Sequence, residues 1–472
     1  MRSSRRAFLA AATGAAWLRA AAPKRPPNIL FILTDDLGWG DLSCYGNRAF
    51  KTPNLDRLAA QGALFTQFYV NGPVCSPSRT AFMTGHYPAR HRVHGHFATP
   101  ELNERRTMPN FLDPAAPTVA SLLRGAGYRT LHVGKWHLGS GPGAPMPDAY
   151  GFDEHKSVTS NETRWSEGGP GFRAQSTRLF VDEALRFMRE NRERPFYINL
   201  WTLLPHAPLD PTKEQLAPFS KISPGTTSGH LGANQIYFAS LRDLDDQLGR
   251  LLKEMDAMGL ADNTLVLFSS DNGPEDIHIR NASHAAYGSP GPFRGRKRSL
   301  YEGGVRLPLI ARLPGVIPAG RVEDQAVVTA VDFLPTLARM AGASTPAGFK
   351  PDGEDVTDIL CGSAHARVRP IFWEWRFNIA GYNANRSPML AMRDGKWKLL
   401  INPDNSRVEL YDIPADPTEL NNLAYREPER VKQMTAKLLA WRKTLPPGMI
   451  EPTAGKNDYP WPKATAKPNA AK

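Results

Sequence analysis

Pro27-Asn28-Ile29-Leu30-Phe31-Ile32-Leu33-Thr34-Asp35-Asp36 decides how the rest of the chain is read. From Asn28 to Leu33 the run is almost continuously apolar, without polar residues at alternate positions, as in a strand covered on both faces. It begins after Pro26-Pro27 and closes on two carboxylates. Thr264-Leu265-Val266-Leu267-Phe268-Ser269 repeats the pattern and closes on Asp271-Asn272. Further strands are expected at 130–133 and 196–201. They lead into Gly134-Lys135-Trp136-His137-Leu138-Gly139 and Pro205-His206-Ala207-Pro208. Residues 53–59 read as a capped helix, as does the stretch after Thr177 with Leu179, Ala184, Leu185 and Met188. Strands alternating with helices imply βαβ units, hence an α/β fold with a mostly parallel sheet flanked by helices. Ligands of such sheets sit beyond the carboxyl ends of the strands, where all four polar clusters fall.

The 472 residues suffice for one large unit and a smaller one, and 41% hydrophobic with 22% charged residues is the composition of an ordinary folded protein. Composition changes near Arg367: 371–375, 389–392 and 396–401 read as short alternating strands, with a tight turn at Asp394-Gly395. Residues after Pro446 are rich in Pro, Ala and Lys and read as an extended basic tail, 447–472. At the other end, Ser4-Arg5-Arg6-Ala7-Phe8-Leu9 precedes an uncharged Ala-rich stretch and Ala20-Ala21-Ala22. Residues 1–22 are therefore read as a signal peptide of the twin-arginine type, which implies the twin-arginine export machinery as a partner and a periplasmic or extracellular location. That stretch falls short of the roughly 20 apolar residues a bilayer needs, and no later segment reads as an integral membrane helix.

Net charge is +12, and +8 without Arg2, Arg5, Arg6 and Arg19 of the signal segment. A basic surface suits anionic substrates; nucleic acid is not among the expected partners, because no binding motif for it is present. Cys44, Cys75 and Cys361 are too few for a disulfide framework, and Cys44 and Cys361 are read as free thiols. No spacing of Cys and His marks a zinc site. Asp35, Asp36, Asp271 and Asn272 offer only oxygen, the hard ligand set that selects Ca2+, with Mg2+ as the alternative, over zinc or copper; the bland reading of such residues is a helix cap or turn. In Cys75-Ser76-Pro77-Ser78-Arg79-Thr80 a thiol lies near a fixed positive charge, and Arg79 is expected to lower its pKa. A lone cysteine is otherwise most often a small buried apolar group.

The Cys75–Thr80 loop with Thr84-Gly85 downstream resembles the signature of the type I, formylglycine-dependent sulfatases of the alkaline phosphatase superfamily, and the resemblance runs in the same order from Pro27 to Leu423. It implies an alkaline-phosphatase-like catalytic unit at 27–365 and, at 366–446, a C-terminal subdomain with a small antiparallel sheet and a terminal helix. The latter includes Glu409-Leu410-Tyr411-Asp412 and Asn421-Asn422-Leu423. Also implied is oxidation of Cys75 to formylglycine by a separate maturation enzyme. The hydrated aldehyde, a gem-diol, would attack sulfur and form a covalent sulfo-enzyme intermediate. The metal ligands implied are Asp35, Asp36, Cys75, Asp271 and Asn272. Arg79 would hold the modified side chain, while Lys135 and Lys297 neutralise sulfuryl oxygens. His137 would take the diol proton, and His206, or His206 with Lys297, would protonate the leaving alcohol.

Arg296-Lys297 departs from the Gly-Lys common in that family, which predicts a stiffer loop and one more positive charge near the site. His86, His91, His94 and His96, with His278 and His284, are candidates for lining the pocket or a second metal site. Trp165, Trp375 and Phe377 are candidates for stacking on sugar rings, so a sulfated carbohydrate, or another sulfated small molecule, is the expected substrate. The competing readings are a phosphate or phosphonate monoester hydrolase, a non-catalytic binder of sulfated glycans and, on charge alone, a nucleic-acid binder.

Overall fold

The computed structural model describes residues 25–160, 171–227, 229–363 and 365–457. The expected signal segment, Trp165 and the tail beyond residue 457 lie outside the described residues.

Nine strands form the main sheet: β1 (Asn28–Asp35), β2 (Ala63–Tyr69), β3 (Arg129–Lys135), β4 (Glu154–Val158), β5 (Phe196–Pro205), β6 (Thr264–Ser270), β7 (Arg306–Arg312), β8 (Arg321–Glu323) and β9 (Val328–Thr329). Their spatial order is β8-β2-β7-β6-β1-β5-β3-β4, with β9 pairing to the far end of β2. Only β7 runs antiparallel to its neighbours β2 and β6; the other pairings are parallel.

All eight residues of β1 are buried, as its apolar run requires. Alternate residues serve two separate cores. Ile29, Phe31 and Leu33 pack on one face with Phe82 of α2 (Cys75–Thr84 in chain order after α1, Pro53–Ala60). Leu30 and Ile32 pack on the other with Leu55 of α1, Phe180 of α3 (Phe172–Glu190) and Leu244 of α4 (Ala233–Ala257). A strand between two helical layers has no solvent face, hence no polar alternation. The cap of α1 comes from another helix: the Asp245 carboxylate in α4 accepts from the backbone N–H of Asn54 (3.1 Å) and Leu55 (2.9 Å).

Register fixes the site. Thr34 faces Ser270 across β1–β6, Gly134 faces Trp201 across β3–β5, and a register shift after Leu33 sets Asp35 opposite Pro205. The carboxyl ends of β1, β3, β5 and β6 therefore finish together.

The second sheet is antiparallel: β10 (Ile371–Glu374), β11 (Leu390–Asp394), β12 (Trp397–Ile401) and β13 (Glu409–Asp412), in sequence order. The turn between β11 and β12 uses Gly395 at φ +57°, a left-handed position that glycine adopts at little cost. A terminal helix, Pro428–Lys443, packs on this sheet through Met434, Leu438 and Trp441. A buried charge cluster joins the two sheets: Lys398 Nζ on β12 lies 2.8 Å from Glu302 and 2.9 Å from Glu419, with all three side chains inaccessible. Replacing Lys398 by Ala leaves the buried Glu419 carboxylate without its cation and Glu302 with Arg306 alone, 3.3 Å away. We expect about 3–5 kcal/mol less stability in urea unfolding at neutral pH; a loss below about 1 kcal/mol would show that the cluster does not hold the sheets together.

Candidate active site

Cys75 is the first residue of α2, reached from Val74 in extended backbone, and the whole helix is buried. Its Sγ lies 3.7 Å from Asp35 Oδ1 and 3.5 Å from Lys135 Nζ. Asp36 adopts φ +65°, and this left-handed kink turns two consecutive aspartates toward one point. Ligand atoms of Asp35, Asp36 and Cys75 lie within 4.8 Å of one another.

Each carboxylate has a cation from a distant segment. Lys135 Nζ is 2.6 Å from Asp35, Lys297 Nζ is 2.7 Å from Asp36, and Arg79 Nη2 is 2.8 Å from Asp271. Asn272 Nδ2 donates to Asp36 Oδ1 (2.7 Å) and to the Gly273 carbonyl (2.9 Å). Its Oδ1 is buried without a hydrogen-bond partner among the described residues. An amide oxygen left bare beside three buried carboxylates is a donor set that fits a hard divalent cation.

Electrostatics agree with that fit. Burial opposes charge on Asp35, but Lys135, His206, Arg79 and Lys297 hold it well below the usual carboxylate range. Burial pushes Asp36 up against the pull of Lys297, and pushes Asp271 to about 7 with help from Asp35, against Arg79. A bound cation would let all three ionise. Burial also pushes the Cys75 thiol to about 12, more than Lys135 and Lys297 can offset. The expectation that Arg79 lowers this pKa is thus corrected. Its guanidinium is spent on Asp271 and on the Lys135 carbonyl (2.7 Å), and lies over the Trp201 ring. It anchors the site from beneath and does not line the cleft.

The cleft above Cys75 holds about 260 Å³ and is walled by Asp36, His96, His137, His206, Lys297 and Arg298. His137 Nε2 is 3.1 Å from the Phe97 carbonyl, which can only accept, so Nε2 carries the proton. Its Nδ1 is then a bare lone pair, buried and without a partner among the described residues. Burial, then Lys135, keeps this ring neutral. His206 Nδ1 faces the Ala207 carbonyl (2.6 Å) and its Nε2 lies 3.6 Å from Asp36; burial and Lys297 hold its pKa low.

Every metal-ligand and catalytic candidate from the sequence therefore converges on one spot, but several neighbours do not. His86 stacks on His91 and reaches the Lys350 carbonyl, His278 stacks on Tyr382, and His284 packs on His230, so of that group His96 alone lines this cleft. Trp375 and Phe377 are buried against each other and present no face to a sugar. Arg296 adds no charge to the cleft wall: its guanidinium turns to the backbone carbonyls of Glu275, Ala286 and Gly288 and pins the loop. Sequence reading missed Glu275 and Arg298. The buried Glu275 carboxylate accepts from both Nη atoms of Arg298 and lies 3.7 Å from Lys297. The signals were present, since Glu275 follows Asp271-Asn272 closely and Arg298 follows Lys297.

Comparison with known proteins places the chain among relatives. The Sulfatase family profile matches residues 27–343, and the profile described as N-sulphoglucosamine sulphohydrolase, C-terminal, matches 293–444. The N-acetylgalactosamine-6-sulfatase of Canis lupus familiaris is 35% identical over 407 residues, covering 77% of this chain and 73% of its own. The N-acetylgalactosamine-6-O-sulfatase of Bacteroides thetaiotaomicron is 29% identical, covering 87% and 92%. The solved structure of Ps i-CgsB in complex with k-i-k-neocarrahexaose superposes with TM-score 0.72 at 26% identity, covering 89% of this chain and 92% of that one. The fold is alkaline-phosphatase-like, as the resemblance implied.

Burial opposes charge on Glu275, yet Arg298 and Lys297 hold its pKa at about 2, below the ordinary 4.5. Its stabilisation is therefore complete above pH 4.5 and is lost as pH falls toward 2. Glu275→Gln should lower the urea midpoint at pH 7, and the gap to wild type should narrow between pH 5 and 3; a gap independent of pH would contradict this pairing.

Proposed function

The chain belongs to the sulfatase family, and from that premise we propose that it cleaves the sulfate ester of a sulfated carbohydrate, with Cys75 oxidised to formylglycine as the nucleophile. The observation that carries this reading is the position of Cys75, set beside the Asp35–Lys135 pair at the floor of a cleft with Lys297 and three neutral histidines on its walls. An unmodified thiol held at a pKa of about 12 is a poor nucleophile near neutrality. A hydrated aldehyde at the same position needs no ionised sulfur.

Asp35, Asp36, Asp271 and Asn272 would hold Ca2+, which supplies Lewis-acid polarisation of oxygen when bound. Lys135 and Lys297 balance the sulfuryl oxygens. One hydroxyl of the hydrated side chain attacks sulfur as the bond from sulfur to the ester oxygen breaks, and the proton that hydroxyl loses passes by way of His206, with Lys297 beside it, to the departing alcohol oxygen. His137 Nδ1 then takes the proton of the second hydroxyl; the carbon–oxygen bond to the sulfo group breaks, sulfate leaves and the aldehyde re-forms. The carbohydrate preference draws on relatives whose names specify N-acetylgalactosamine sulfates.

The paired arginines Arg5-Arg6 before an Ala-rich stretch support export by the twin-arginine route after maturation, and thus action in the periplasm or beyond. Among the described residues no helix is long and apolar enough to cross a membrane.

The reading is tested by sulfate release from galactose and N-acetylgalactosamine monosulfates, against the phosphate ester of the same sugar. Sulfate release that vanishes in a folded Cys75→Ala variant is expected; phosphate favoured by orders of magnitude would discard it. Metal removal gives a separate check. Adding Ca2+ to chelator-treated protein should raise the melting temperature, by the equivalent of about 2.7 kcal/mol at a hundredfold excess over Kd. Asn272→Ala should shift that response to higher Ca2+, and an unchanged response would remove Asn272 from the site.

A further inference from the structure

The segment His96–Phe97 is tied to the catalytic loop on both sides of its peptide. Phe97 N–H donates to Ser76 Oγ (3.1 Å), next to Cys75, and the Phe97 carbonyl holds His137 Nε2 (3.1 Å). Arg106 Nη1 donates to the His96 carbonyl (3.3 Å). The backbone of His96 is thus fixed relative to the groups that would do the chemistry. Its ring stands beside His137, with centroids 6.3 Å apart, and lines the same cleft as Cys75 and Lys297. No described residue hydrogen-bonds to that ring, in contrast to His137 and His206, each of which has one nitrogen facing a backbone carbonyl. A rigidly held imidazole with both nitrogens unspent, aimed into a binding cleft, is a recognition element awaiting a partner.

The surroundings narrow what that partner is. Burial, with Arg106, Lys297, Arg298 and Lys135 around it, keeps the ring in its uncharged form. A neutral imidazole gives one hydrogen bond and accepts another, whereas the surrounding cations only donate. An anion in this cleft would be served by Lys297 and Arg298, the cations on its wall. A sugar hydroxyl, which both donates and accepts, can pair with either nitrogen of such a ring, whereas the neighbouring cations offer it donors only.

We propose that His96 is a specificity-determining residue that reads a free hydroxyl of the leaving sugar close to the scissile sulfate ester. This rests on the carbohydrate reading above and adds the group that selects among sulfated sugars. Removing one partner of such a bond costs about ten- to a hundredfold in kcat/KM, because the other is left buried and unpaired.

The test uses the full-length enzyme and a panel of galactose and N-acetylgalactosamine monosulfates. For the sugar cleaved fastest, deoxy analogues each lack one free hydroxyl. Wild type should lose about tenfold or more in kcat/KM, chiefly through KM, on one analogue. His96→Phe, which keeps the shape without the hydrogen bonds, should lose as much on the parent sugar and nothing further on that analogue. His96→Gln, with a donor and an acceptor, should recover part of the loss on the parent only. Losses that add for every analogue, or a His96→Phe enzyme equal to wild type on the parent sugar, would overturn the assignment to His96 alone. Wild type that releases sulfate from none of the panel would overturn the carbohydrate reading, and His96 as its reader with it.

Discussion

Three buried ion pairs at one sheet edge constrain everything else in this molecule. Asp35, Asp36 and Asp271 are fully removed from solvent, and each is matched by a cation from elsewhere in the sequence: Lys135, Lys297 and Arg79. Burying any of these charges alone would cost several kcal/mol, so none is tolerable without its partner in place. The pairs tie the ends of β1, β3 and β6, the first turn of α2 and the 297 loop into one unit. Cys75 is placed by that unit, with its thiol beside the Asp35–Lys135 pair. The arrangement has a further oxygen, Asn272 Oδ1, that no described residue satisfies. Stability and chemistry thus draw on the same atoms, and a fold that lost these pairs would lose the site as well.

Above this buried floor the cleft has a different character. Its three histidines are uncharged, and a backbone carbonyl fixes the ring of His137 and of His206. His137 Nδ1 has no partner among the described residues, while His206 Nε2 lies 3.6 Å from Asp36. Lys297 and Arg298 bring positive charge to the cleft wall, and the three neutral histidines bring hydrogen-bonding capacity without charge. That division is what an enzyme splitting an anionic ester needs, since the two halves of its substrate differ in polarity.

Much of the fold was legible because its central strands are buried on both faces. An uninterrupted apolar run such as 28–33 has few other interpretations, and its carboxylate end marks the active edge. Strands β2 and β7 escaped notice: β7 runs Arg-Leu-Pro-Leu-Ile-Ala-Arg, with a proline inside a buried strand and arginines at both ends, while β2 follows α1 with Thr and Gln breaking its apolar run. Their antiparallel pairing depends on contacts distant in sequence. The cap on α1 was equally hidden, because Asp245 acts from another helix. Site residues were legible by type but less so by state. The direction of the Cys75 pKa is set by burial, and the direction of Arg296 by three backbone carbonyls of a neighbouring loop. Trp375 and Phe377 were misread for the same reason, since an aromatic residue carries no sign in the sequence of whether it faces solvent or its neighbour.

The most direct test of the account is the mass of the tryptic peptide containing Cys75, taken from protein that releases sulfate. Conversion of the thiol to an aldehyde lowers that mass by about 18 Da, and the account predicts this form in the active fraction. An unmodified Cys75 in protein with full activity would contradict it, and would require a nucleophile other than the one to which the buried ion pairs point.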